Sequence, residues 1–425
     1  MKPKILILFA VIIQMAACSN QESVEPESIM PTEMTVGNIR SYEEALKIAQ
    51  ASISILDGSK SSTRGLSNSR KIDMSDKSVV RLDSKTRTNL NVNDTLMYVF
   101  NFENNEGFVL VSASKYTEGI LAITEKGHFV PDVKSENEGF NLFIDLAKRY
   151  IISKGKREVD TTETQYYDEY YYQHSYTGPY ISVKWGLTHP EGEFCPNGIC
   201  GCTITALAQL MSYYEYPQSM ALTYPDADQS FQSFSWSSMK SHATQHVLSD
   251  CPPNSEETHK SIARLCRQLG YVSYSNYDDP GQTSTSIYNA RDCLEYYEYK
   301  ECKWCDYSIT DINNKLSNGY PLLISGWLIS GPGHTWILDG LDALQYWVYS
   351  YQVNPNGPDT LLFTNGPYST TLYHFNWGWY GENDGYFEGN VFATNQVQFP
   401  DTENNGVSYN FYDQVHTLCT YPDDK

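Results

Sequence analysis

Cys202 opens the stretch Gly201-Cys202-Thr203-Ile204-Thr205-Ala206-Leu207-Ala208-Gln209-Leu210-Met211-Ser212-Tyr213-Tyr214. Ile204, Leu207, Ala208, Met211 and Tyr214 recur at helical spacing, which predicts a helix buried along that side and stopped near Pro217. The partial positive charge at a helix start favours a thiolate, the form of cysteine that attacks a carbonyl carbon. Gly201 permits close backbone approach, and the Cys202 N–H, a helix-start donor without an intrahelical partner, is suited to bind an oxyanion. The competing reading is a structural cysteine, paired for instance with Cys195.

A base for such a thiol stands in Gly331-Pro332-Gly333-His334-Thr335-Trp336-Ile337-Leu338-Asp339-Gly340. The turn delivers His334 to the start of an alternating strand, exposed at an edge rather than sunk in a core. An imidazole there can take the thiol proton and return it to a leaving amine, and its cation stabilises the thiolate. An ordinary loop histidine is the alternative. His242, His246 and His259 lie in polar helix-like or loop sequence, and His374 lies within a strand run. A third segment, Tyr373 to Phe387, delivers Asn376, whose amide can orient an imidazole. Trp377 and Trp379 beside it either shield that bond and line a cleft, or pack a β-turn, or stack on carbohydrate.

The elements that must position these groups follow a distinct leader. Lys2 and Lys4 precede the apolar run Ile5 to Ile13, and Gln14-Met15-Ala16-Ala17-Cys18 follows, the pattern of a signal peptide too short to span a membrane. Small residues directly before Cys18 resemble a bacterial lipobox, in which Cys18 is acylated and residues 1–17 are removed; Met15 stands where leucine is usual. Residues 18–40 read as a solvated tether. Ser41-Tyr42-Glu43-Glu44 is a capping box ahead of Ala45, Ile48, Ala49, Ile53 and Leu56 at helical spacing. Leu96 to Phe102 and Phe108 to Ala113 predict a hairpin, and Phe140, Phe143, Ile144, Ala147 and Ile151 predict a second helix. Residues 41–152 thus form a small α+β domain. Residues 153–176, basic and then acidic and tyrosine-rich, read as an exposed connector open to proteolytic processing, ahead of a larger domain at 177–425.

Composition narrows the function classes. The 425 residues carry 30 Lys and Arg against 51 Asp and Glu, a formal charge of -21, which disfavours a nucleic-acid partner. No later stretch reaches membrane-spanning length, so the membrane is reached only through the lipid anchor. Setting aside Cys18 and Cys202, eight of the 10 cysteines remain, an even remainder that suggests disulfides in an oxidising compartment without choosing the pairing. Cys302-Lys303-Trp304-Cys305 lacks a second ligand pair nearby, so no metal is assigned.

Taken together, "GCTITALAQLMSYYEYP", "GHTWILDG" and "FNWGWYGENDGYF", in this order, resemble the streptopain-like family of bacterial cysteine peptidases. Further likeness lies in Phe234-Ser235-Trp236-Ser237-Ser238-Met239, in Gly319 to Gly326 and in the "YVFNFENNEGFVLVSA" hairpin, so that it runs from about residue 40 to 395. The resemblance implies an α+β fold: a papain-like two-lobed catalytic domain, its helical lobe carrying the cysteine and its β-rich lobe the histidine, behind a small α+β inhibitory propeptide. It implies Cys202 as nucleophile, His334 as base and then acid, Asn376 or Trp377 as the group holding the ring, and Ser325, Gly326, Gly333 and Trp379 as substrate-binding residues. No cofactor is called for, and the implied partners are protein or peptide substrates and the chain's own propeptide. One departure stands out. The family carries Trp-x-Gln ahead of the nucleophile, its glutamine donating to the oxyanion, whereas Trp185-Gly186-Leu187 places Leu187 there. His189 or Asn197 are the available substitutes; without one, the chain is a weak enzyme or a peptide-binding pseudopeptidase. A glycan-binding lipoprotein built on exposed aromatics is a third reading.

Overall fold

A computed structural model describes residues 39–58, 70–81, 95–154, 166–242, 255–327, 333–352, 358, 360–393 and 415–422. The predicted leader, Cys18 and nearly all of the tether lie outside them, as do Cys251, Gly331 and Pro332.

The N-terminal part contains α1 (Tyr42–Gly58), β1 (Val79–Arg81), β2 (Thr95–Asn101), β3 (Phe108–Ser112), β4 (Ile120–Thr124) and α2 (Glu138–Lys154). Then come β5 (Tyr166–Gln173), β6 (Tyr176–Thr177), α3 (Cys202–Tyr214), β7 (Ser219–Ala221), β8 (Phe231–Ser233), α4 (Trp236–His242), α5 (Ser255–Val272) and α6 (Ile287–Tyr296). The remainder is mostly strand: β9 (Tyr299–Asp306), α7 (Ile309–Ser317), β10 (Leu322–Trp327), β11 (Gly333–Gln352), β12 (Thr360–Asn376), β13 (Gly385–Glu388) and β14 (Val415–Pro422).

The local signals in residues 41–152 act as their chemistry requires. The Ser41 N–H donates to Glu44 Oε2 at 2.6 Å and the Glu44 N–H to Ser41 Oγ at 3.2 Å, the reciprocal capping box that starts α1. Strands β2 and β3 pair antiparallel from Met97↔Ser112 to Asn101↔Phe108, joined by a short turn of 3₁₀ helix at Glu103–Asn105. Every apolar position predicted on α2 is buried.

Among the described residues, twelve strands form one antiparallel sheet whose main path is β1-β2-β3-β4-β13-β12-β11-β10-β14-β9, with β5 and β6 on β11. The N-terminal strands therefore continue the sheet of the later domain through β4 and β13, in register Thr124↔Gly385 to Ala122↔Phe387. Residues 166–173 and Tyr176, expected as connector, instead pair with β11, from Tyr166↔Gln352 to Tyr176↔Asp342. A tyrosine-rich run has the side chains that a pleated surface favours, and the long β11 supplies a free row of backbone partners.

Alternation along the strands sorts the helices onto two faces. Leu323, Ile337 and Leu418 pack with α3, α5 and α6. Leu322, Ile324, Trp336 and Leu338 point the other way and share a core with Phe140, Phe143, Leu146 and Ala147 of α2. Helix α2 thus packs on strands of its own segment and on those of the later domain. Its large apolar side chains each contribute roughly 1.5–3 kcal/mol by burial, so the two parts are joined by a core as well as by a strand pair.

Candidate active site

Helix α3 starts at Cys202, and Gly201 before it has φ +89°, where a Cβ would come within 2.8 Å of the Thr283 carbonyl oxygen. Only glycine suits that turn into the helix. The helix is enclosed on nearly every side, since Thr203 to Ser212 are all buried, rather than on the single face its periodicity predicts. Cys202 itself remains partly accessible, and it is a thiol, as are Cys195, Cys200, Cys266, Cys293, Cys302, Cys305 and Cys419. The expected disulfides are therefore absent among the described cysteines, and the Cys195–Cys202 pairing with them. Cys302 and Cys305 lie on β9 with one buried and the other exposed, which separates the two sulfurs.

Strand β11 brings His334 to this sulfur, and the two side chains are hydrogen-bond partners. Burial pushes the Cys202 thiol up, but the His334 charge and hydrogen bond, the Thr335 N–H and the Thr203 hydroxyl outweigh it and hold the thiol below its ordinary value. Burial alone depresses His334; the Cys202 charge and hydrogen bond, the Trp377 carbonyl and the Glu138 charge reverse this and leave it raised. Both directions favour a thiolate–imidazolium pair.

The ring is held by the Trp377 backbone carbonyl, 2.8 Å from His334 Nε2. With Nε2 as the donor, Nδ1 is free to accept the thiol proton. Of the two groups proposed to hold the ring, Trp377 makes the contact through its main chain. Asn376 does not: its Nδ2 donates to the Val183 carbonyl at 2.8 Å and its Oδ1 accepts the Gly378 N–H at 3.1 Å. That N–H belongs to the very peptide whose carbonyl faces His334, so Asn376 acts one bond removed. The His334 ring also stacks on Trp336, with centroids 5.9 Å apart and planes at 19°.

His334 is buried rather than exposed at an edge. The reason is α2, which no local signal at residue 334 reveals. Asn137 caps that helix, accepting the Phe140 N–H at 3.0 Å, and donates to the Glu382 carbonyl at 3.1 Å, docking the helix start beside Trp377. Gly139 then lies so close that a Cβ would fall 2.4 Å from Trp377 Cε3 and 2.5 Å from His334 Cδ2.

The remaining predicted residues separate. Ser325 is buried and bonds Thr335 Oγ1 at 3.0 Å, which in turn meets Thr203 Oγ1 at 3.2 Å. It ties β10, β11 and α3 together through these hydroxyls. Gly326 faces Leu142 of α2, whose Cδ2 lies 3.5 Å from where its Cβ would be. Gly333 is exposed at the start of β11 opposite Trp327, and Trp379 is partly buried against the core that α2 shares.

Around the oxyanion, the Leu187 carbonyl accepts the Cys200 N–H at 2.8 Å, so residue 187 runs beside the start of α3. Neither proposed substitute is free for an oxyanion. Asn197 Nδ2 is committed to the Asp279 and Gln282 carbonyls and to Thr283 Oγ1, at 2.8, 3.1 and 3.0 Å. His189 faces Glu193 and the His259 ring. The Cys202 N–H at the helix start is the donor that the backbone supplies.

This geometry sets a pH dependence. Alkylation of Cys202 is expected to stay fast below the ordinary thiol range and to fall only as the pH drops through the lowered thiol value. Hydrolysis is expected to fall again on the alkaline side, above the ordinary histidine value, as His334 loses its proton. The plot of kcat/KM against pH reports the pair as a unit; an acid limb at the ordinary thiol value contradicts it.

Residues 176–387 match the Peptidase C10 family, and residues 35–151 match the Spi protease inhibitor family. The thiol protease/hemagglutinin PrtT of Porphyromonas gingivalis is 22% identical over 332 residues, which make up 69% of this chain and 34% of PrtT. Streptopain of Streptococcus pyogenes is 24% identical over 326 residues, 68% of this chain and 73% of streptopain. Among solved structures, a fragment of prointerpain A from Prevotella intermedia covers 81% of this chain and 98% of its own length, at 18% identity and a TM-score of 0.49.

Proposed function

Because this chain belongs to the Peptidase C10 family of cysteine peptidases, we propose that it is an endopeptidase made as a zymogen, exported and held at the cell envelope or surface by a lipid on Cys18. The single observation that carries the catalytic part is the pairing of Cys202, at a helix start, with a His334 ring held from behind by a carbonyl.

In this reading the Cys202 thiolate adds to the scissile carbonyl, and the oxyanion is received by the Cys202 N–H. His334 then gives its proton to the departing amine as the C–N bond breaks, leaving an acyl-enzyme. Water, deprotonated by the same ring, attacks the acyl carbon and releases the acid and the thiol. Trp377 keeps the ring facing the sulfur throughout. Substrates are proteins or peptides, and pocket preference belongs to residues such as Gly326, Gly333 and Trp379.

The propeptide is its inhibitor because the start of α2 occupies the His334 side of the site. Gly139→Val is the sharpest probe. The added atoms meet two buried rings, neither of which can swing aside, so the helix start must lift. The uncleaved variant is expected to hydrolyse a fluorogenic peptide well above the basal rate of the uncleaved wild type, by about tenfold if the displacement is worth ~1.4 kcal/mol. An unchanged basal rate rejects this contact as the block.

Leu187 favours a second reading, a pseudopeptidase that binds peptides at the surface through the same cleft. The two readings part on turnover by the processed chain, and the Leu187→Gln variant treated below measures the difference.

A further inference from the structure

Behind the Trp377 carbonyl lies a buried charge cluster that the steps above do not use. Asp384 is fully buried. Its Oδ1 accepts the Trp377 N–H at 2.8 Å, and its Oδ2 accepts Lys184 Nζ at 3.0 Å. The Trp377 indole closes the same loop, Nε1 donating to the Asn383 carbonyl at 3.1 Å. On the other side of Trp377, Asn376 Oδ1 accepts the Gly378 N–H. Both peptides flanking Trp377 are therefore held by side-chain oxygens, and the second carries the oxygen that binds His334 Nε2.

The charges around Asp384 come from three parts of the chain. Lys184 precedes the α3 helix and also lies 3.7 Å from Glu125 Oε2, just beyond β4 of the propeptide. His374 on β12 pairs with Asp339 Oδ1 at 2.6 Å and lies 3.8 Å from Glu125 Oε1. Burial works against the Lys184 ammonium, but Asp384, Glu125 and Asp339 overcome it and keep the lysine charged. Burial pushes the Asp384 carboxyl up, with Lys184, the Trp377 N–H and His374 opposing it. A carboxylate taken fully out of water is tolerated only with such partners, and removing either member leaves the other uncompensated.

We propose that Asp384, with Lys184 as its counter-ion, is a positioning residue for the Cys202–His334 pair: it holds the Trp377 backbone so that its carbonyl accepts the hydrogen bond of Nε2–H and Nδ1 is left facing the sulfur. The proposal rests on the reading of Cys202 and His334 as nucleophile and base. Without the carboxylate the Trp377 backbone relaxes, the ring loses its fixed tautomer and direction, and the thiolate loses the cation beside it.

The test uses the full chain. Alkylation by iodoacetamide is followed from acid to alkaline pH by mass spectrometry of the Cys202 peptide, in the wild type, Asp384→Asn, Asp384→Ala and the uncharged double variant Lys184→Gln/Asp384→Asn. The wild-type midpoint is expected below the ordinary thiol value. Asp384→Ala moves it up by about one pH unit, a roughly tenfold loss of thiolate at a given acid pH. Asp384→Asn, which keeps an acceptor for the Trp377 N–H, moves it less. After processing, kcat falls with KM little changed, and Asp384→Asn retains more activity than Asp384→Ala. Protection of the buried Cys293 in the same spectra reports whether each variant is folded; where a lone Lys184 charge unfolds a single variant, the double variant carries the measurement, with the shift of Asp384→Asn expected. Midpoints identical to the wild type in folded variants overturn the positioning role. A wild-type midpoint at the ordinary thiol value overturns instead the assignment of Cys202 and His334, so the two failures are distinct.

Discussion

Cys202→Ala is expected to lower peptide hydrolysis by the processed chain on the order of 10⁴-fold or more, with His334→Ala costing a similar amount and the double variant little more. The near-equality follows from the mechanism: thiolate and imidazolium form one unit, and neither acts without the other. The same substitution removes the fast-alkylating thiol. Burial pushes the Cys195 and Cys293 thiols up to about 12 and Cys419 up to about 11, whereas Cys202 is shifted down by His334. An epoxide or iodoacetamide reagent applied to the processed wild type should therefore modify Cys202 first and stop hydrolysis in proportion. Cleavage unchanged in Cys202→Ala, or labelling of Cys202 no faster than that of a free thiol, rejects the assignment.

Leu187→Gln is expected to raise kcat about 10²-fold, the lower end of what one oxyanion donor is worth. The direction follows from where the other candidate donors point. Asn197 holds the loop around Asp279 to Thr283, and His189 sits with Glu193 and His259. The developing negative charge is left to the Cys202 N–H and the field at the start of α3. Because the interaction exists only as the oxyanion forms, the gain should appear in kcat with KM little altered. Rapid turnover by the unmodified processed chain, with no gain in Leu187→Gln, shows that another donor already serves and dismisses the pseudopeptidase reading.

The parts of the molecule legible in the sequence are those governed by near neighbours. The capping box at Ser41, the hairpin around Glu103 to Gly107 and the apolar stripe of α2 depend on residues a few positions apart, and each forms as its spacing requires. The start of α3 was equally legible, because a glycine followed by a cysteine and a helical repeat states its own geometry. Resemblance to a family supplied the link between Cys202 and His334, which spacing alone could not. Two readings failed for a common reason. His334 reads as edge-exposed and residues 166–176 as part of a loose connector, yet each is decided by an element distant in sequence: α2 and the length of β11.

Residue types and their local periods by themselves determined that a cysteine stands at a helix start, that a histidine opens a later strand, and that a small α+β segment precedes both. Tertiary structure alone decided that a carbonyl rather than the Asn376 amide holds the ring, that Asp384 and Lys184 stand behind that carbonyl, and that Gly139 presses the propeptide against His334. The physical reason is that helical and strand periods encode only which face of an element avoids water. Which hydrogen-bonding group meets which depends on distances of about 3 Å between segments far apart in the chain, and these are set only when sheet register and helix packing are complete.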